Sequence, residues 1–169
     1  IALKSAIQLD SNYAKAYGAL GTVEQELAEI DSAIENYIHA TEIDPNAYNI
    51  HYRLASAFNV IRQCEDAKVS AKLCLNIKRN YAPAYFELGI AEKALGNKVA
   101  ATDAFEKAKK DKNWRKSAQF ELDMLRKGLT SSYGATGATA EYAKTRFESS
   151  FGREIDIENS SIFLEQKEI

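Results

Sequence analysis

The chain has 169 residues, 46% apolar and 27% charged, the balance of an ordinary folded domain or short array. No apolar run approaches the roughly 20 residues needed to cross a bilayer, and two cysteines, Cys64 and Cys74, supply neither a disulfide framework nor paired metal-ligand spacing. Net charge is only −2 but unevenly spread: eight acids against two bases over 1–45, six bases against two acids over 46–80, ten bases against seven acids over 81–127, and seven acids against four bases over 128–169.

Ile1–Asp10 reads as the end of a helix already under way, which makes 1–13 the end of a preceding repeat and the chain a piece of a longer array. The residues recur every 34 positions. Leu20, Leu54, Leu88 and Leu122 keep that step, as do Asn12, Asn46 and Asn80, and Ala33, Ala67 and Ala101. A fixed period of this length marks a solenoid, because each unit buries its apolar face only against its neighbours.

Three units follow, 14–47, 48–81 and 82–115. In the first, Tyr17, Leu20, Val23 and Leu27 fall at helical spacing and predict one buried stripe. Ser32-x-x-Glu35 reads as a capping box for a second helix carrying Ala33, Ile34, Tyr37, Ala40 and Ile43. Asp44-Pro45 ends that helix, and Asn46 stands where the next needs an N-cap. The second unit has Leu54, Phe58 and Ile61, then Ala67, Ala71, Cys74 and Ile77, with Cys64 in the turn between its helices. The third has Tyr85, Leu88 and Leu95, a Gly96-Asn97 turn, then Ala101, Phe105 and Ala108. Small residues at 33, 67 and 101 let two helices cross closely, and Cys74, whose counterparts are alanines, reads as a buried thiol. Residues 114–127 keep the register through Leu122 but are otherwise polar, as a capping helix is. Gly128 stops it, 128–139 reads as a flexible linker, and 140–169 is an acidic tail with a short helix (Tyr142, Ala143, Phe147) and an extended stretch, Glu154-Ile155-Asp156-Ile157-Glu158. Such a tail cannot bury enough to fold alone and is expected to dock on its own solenoid or on another chain.

The run Tyr17-x-x-Leu20-Gly21, Ala33, Tyr37, Ala40, Pro45 resembles the tetratricopeptide repeat, and it recurs as Tyr85-x-x-Leu88-Gly89, Ala101, Phe105, Ala108. The middle unit departs from it, with His51, Ala55, Ala71 and Arg79 at the corresponding positions. The resemblance implies an all-α, right-handed α-solenoid of helix–turn–helix repeats whose first helices line a concave groove. It places one position beyond the conserved aromatic on that groove, here Gly18, Tyr52, Phe86 and Phe120. Further along lie Thr22, Ser56, Ile90 and Met124, then Gln25, Asn59, Lys93 and Lys127. The partner-binding set expected from this is Tyr52, Phe86, Phe120, Arg53, Ser56, Asn59, Ile90, Lys93 and Met124. Members that clamp the carboxylate of a chaperone tail carry Lys, Asn and Arg where this chain has Gly18, Thr22, Arg53, Pro83 and Glu87, and the mismatch disfavours that partner.

Residues 106–116 hold six bases beside Trp114, the composition a nucleic-acid site needs, but a solvated helix C-terminus explains the same run and the acidic total disfavours nucleic acid. His39 and His51 have no nucleophile or carboxylate at a catalytic spacing, and no phosphate loop or zinc motif is present. No enzyme activity, cofactor or metal is expected. Asn159-Ser160-Ser161 is a glycosylation sequon that matters only in a secreted protein; a cytoplasmic setting is slightly favoured. The expected function is a protein–protein scaffold or adaptor that binds a partner's peptide or helix, or its own tail. The alternative is a solenoid that self-assembles into a homo-oligomer through its tail or its open N-terminal repeat face.

Overall fold

A computed structural model describes residues 13–128. The preceding half repeat, the linker and the tail read from the sequence lie outside the described residues. Within them the chain forms seven helices and no strand: α1 Ala14–Glu26, α2 Ile30–Ile43, α3 Tyr48–Val60, α4 Cys64–Ile77, α5 Ala82–Ala94, α6 Lys98–Ala108 and α7 Arg115–Arg126. Helices α1, α3 and α5 each pack on the helix that follows, the pairs stack in chain order with α7 packed on α6, and α3 also touches α5. This is an all-α helical repeat solenoid.

The crossings are close because they are built from glycine and alanine. A β-carbon on Gly21 would lie 2.9 Å from the Tyr37 ring, and one on Gly89 2.5 Å from that of Phe105. Ala33, Ala67 and Ala101 have no exposed surface, nor do Tyr37 and Phe105. One core joins Ile34, Tyr37, Ile50 and Leu54; another joins Phe86, Ile90, Phe105, Trp114 and Leu122.

The turn inside each repeat is the same structure three times. Ala28, Arg62 and Gly96, again 34 apart, all take positive φ, at 62°, 62° and 81°. In each, the amide of the next residue bonds a carbonyl five back: Glu29 to Glu24 at 2.9 Å, Gln63 to Phe58 at 2.9 Å and Asn97 to Glu92 at 2.8 Å. These are Schellman closures, which satisfy the last carbonyls of the first helix and favour glycine at the left-handed position. An alanine there costs roughly 1–2 kcal/mol, partly offset by the greater chain entropy a glycine loses. Ala28→Gly is therefore expected to stabilise the protein by about 0.5–1 kcal/mol and Gly96→Ala to destabilise it by a similar amount. Thermal melts that move in the same direction for both would contradict this turn assignment.

Local details differ from the sequence expectations. Helix α2 begins at Ile30 after Glu29, so Ser32 lies inside its first turn and makes no cap. Asn46 lies one residue before the Ala47 cap of α3, and its own amide donates to Asp44 Oδ1 at 3.0 Å. Cys64 heads α4 rather than sitting in the turn, and Trp114 precedes α7 rather than opening it. The buried face of α1 is Ala16, Gly18, Gly21 and Glu24, while Val23 and Leu27 are exposed. Val23 occupies the position at which Ala57 and Ala91 are fully buried, and no described helix precedes α1 to cover it. Ile77 is exposed at the end of α4.

Candidate partner-binding surface

In the column Gly18, Tyr52, Phe86 and Phe120, the first three residues face the next repeat. Gly18 is buried against Ile50 of α3, whose Cδ1 would lie 2.6 Å from an added β-carbon. Tyr52 is half-buried with its ring edge-on to Tyr81, just before α5, at 5.6 Å. Phe86 has no exposed surface: it lies 4.9 Å from Trp114, just before α7, and 5.6 Å from Phe105. It therefore has nothing to offer a partner, because the ring is inside the core of the third repeat. Phe120 is half-buried and lines an open cleft beside Lys110, Arg115 and Lys116. These aromatics do not form one exposed apolar strip.

The next column is also engaged between repeats. Asn59 Nδ2 donates to the Glu87 carbonyl oxygen at 3.0 Å and to its Oε2 at 2.8 Å. Lys93 Nζ donates to Glu121 Oε2 at 2.6 Å, a pair in which lysine is 10% exposed and glutamate 0%. Each bond joins residues 28 apart, so both are the same link between successive first helices. In the first repeat Gln25 turns instead to its own unit, accepting from the Tyr37 hydroxyl at 2.8 Å. Burial raises the Tyr37 pKa, while a hydrogen bond to Thr22 and the nearby Arg53 oppose the shift. Glu87 and Glu121 are residues the sequence reading missed as structural partners. Their recurrence 34 apart, in step with Asn59 and Lys93, was the available signal. The burial of Glu87 also removes a position at which a carboxylate clamp would need a cation.

Of the remaining expected residues, Ser56 and Ile90 are buried at 8% and 9% exposure, and Arg53 and Met124 are half-buried. Of the expected set, Tyr52, Arg53 and Met124 are therefore half-buried side chains on the row of first helices that the core does not enclose.

Neither histidine joins a catalytic set. His51 is buried with Nε2 2.9 Å from the Pro45 carbonyl oxygen. His39 is exposed beside Glu42 and lies 5.5 Å from the Tyr17 ring. Among the described residues no group of three potential ligands forms a metal site, and no helix is long and apolar enough to cross a membrane. Trp114, the ring a nucleobase would stack on, is 4% exposed under Phe86.

At the other edge, Lys78 Nζ lies 4.3 Å from the Tyr48 ring centre and 4.9 Å from that of Tyr81, tying together α3, the end of α4 and the start of α5. Below it Cys74 is fully buried, and burial pushes its thiol up to about 12 against the pull of Lys78. Its protonation therefore contributes stability below about pH 9, and this is lost as pH rises from 9 toward 12, because the unfolded chain deprotonates first. The same burial predicts one alkylation, at half-exposed Cys64, when native protein meets iodoacetamide at pH 8, and two in denaturant. Two in both conditions would contradict a sealed Cys74.

Paired helices stepped by 34 residues, crossing at glycine and alanine against an aromatic, define a helical-repeat solenoid. Residues 14–47 match the family model described as tetratricopeptide repeat, and the later helix pairs keep the 34-residue step of that unit. Its described fold is shared by solved structures of that family. The first such domain of Spaghetti (RPAP3), solved bound to the HSP90 peptide SRMEEVD, superposes with a TM-score of 0.67 at 24% identity, covering 72% of this chain and 97% of that one. MamA gives 0.69 at 22%, covering 88% and 84%. YrrB, described as having an unusual peptide-binding site, gives 0.67 at 19%, covering 88% and 73%.

Proposed function

We propose that this chain is an adaptor that holds a peptide or helical segment of a partner protein along the row formed by α1, α3, α5 and α7. The observation that carries the reading is the stack itself: α3 and α5 touch directly, so first helices of successive repeats form a continuous surface. Peptide binding by structural neighbours, as in the RPAP3 domain and YrrB, supports it at the level of the fold. The contact set is Tyr52, Arg53 and Met124, with buried Ser56 and Ile90 beneath them supporting the surface. Arg53 supplies a cation and Met124 an adaptable apolar contact. Asn59 and Lys93 hold the surface in shape by binding Glu87 and Glu121 rather than by touching the partner.

The test is selection of a displayed random-peptide library on the full chain, followed by titration of the enriched peptide against Arg53→Glu and Met124→Glu. Both variants should bind at least tenfold more weakly while keeping the parental thermal midpoint. An enriched peptide that binds both variants as tightly as the parent would overturn this placement.

A further inference from the structure

We propose that the cleft between the end of α6 and α7 seats the chain's own segment Glu154-Ile155-Asp156-Ile157-Glu158. The cleft has a volume of about 700 Å³ and carries Phe120 on its wall. Its rim is basic. Lys109 is paired with Glu106 at 2.8 Å, whereas Lys110, Arg115 and Lys116 stand exposed and pair with no described acid. The cleft therefore offers an apolar ring flanked by three cations, a site for an anionic chain that also brings aliphatic side chains.

A further helix of the repeat is a poor occupant. Where α5 presents Gly89 to the ring of Phe105, α7 carries Asp123, which accepts a hydrogen bond from Gln119 at 2.9 Å. A side chain there occupies the space a packed aromatic would need, and burying the carboxylate would add a desolvation cost. The residues after Gly128 supply an alternative of matching chemistry. They hold seven acids against four bases, and 154–158 concentrates three of the acids around two isoleucines. Bound extended, such a segment sets its isoleucines on one side, toward Phe120, and its acids on the other, within reach of the long basic side chains.

Reach is no obstacle. The 25 residues between Gly128 and Glu154 are ample, since about six extended residues span the roughly 18 Å length of α7. Tethering also gives the segment an effective concentration in the millimolar range, so individually weak contacts suffice. This site adjoins the α7 end of the proposed adaptor surface, shares none of its contact residues and does not depend on it.

The test is zero-length carbodiimide crosslinking of the full chain, read by mass spectrometry, in a mixture of unlabelled and isotope-labelled protein. Crosslinks from Glu154, Asp156 or Glu158 should fall on Lys110 and Lys116 within one chain. Arg115→Gln, Phe120→Ala and Ile157→Ser remove no group the reagent joins, and each should lower that yield at least fivefold. Ile157 is not part of α7, so the effect of Ile157→Ser is not a loss of side-chain packing within that helix. Unchanged yields in Ile157→Ser and Arg115→Gln, crosslinks equally strong to Lys15 or Lys72, or crosslinks mainly between labelled and unlabelled chains would overturn the proposal.

Discussion

Replacing Lys93 by Met should lower stability by about 3–5 kcal/mol, the usual effect of removing one partner of a buried ion pair. Glu121 has no exposed surface and Lys93 only 10%, so the carboxylate cannot recover water when its ammonium is removed. Methionine keeps the length and most of the packing of the lysine stem, which isolates the charge. The double replacement Lys93→Met with Glu121→Gln should recover much of the loss, because neither a charge nor its desolvation remains. Urea denaturation of the parent, the single and the double variant gives all three values. A single-variant loss below about 1 kcal/mol would place this pair among solvent-screened surface contacts instead.

Phe86→Ala should cost a similar amount, about 3–5 kcal/mol, through lost apolar burial and the cavity left between Phe105 and Trp114. Contacts in a solenoid are nearest-neighbour, so hydrogen exchange should accelerate mainly in α5, α6 and α7 and less in α1 and α2. The outcome separates two roles for the ring. A partner-facing Phe86 would lose binding and keep stability; a core Phe86 loses stability first. A melt unchanged by this substitution would reverse the assignment.

The sequence by itself determined the repeat. The 34-residue step in Leu20, Leu54, Leu88 and Leu122 and the small residues at 33, 67 and 101 specify paired helices that cross closely, since no larger side chain fits there. Gly96 marked its turn because glycine takes positive φ without cost. Ala28 and Arg62 adopt the same backbone with no local sign of it, imposed by the two helices they join. Tertiary structure alone decided which way the columns of the first helices point. Adjacent residues on a helix differ by about 100° in direction. Whether Phe86 faces a groove or the following repeat thus depends on how one helix pair is rotated against the next. That rotation is set by contacts such as Gly18 on Ile50 and Phe86 on Trp114, and by the Asn59–Glu87 and Lys93–Glu121 links. These contacts join units roughly 30 residues apart, so helical periodicity within one unit could not reveal them.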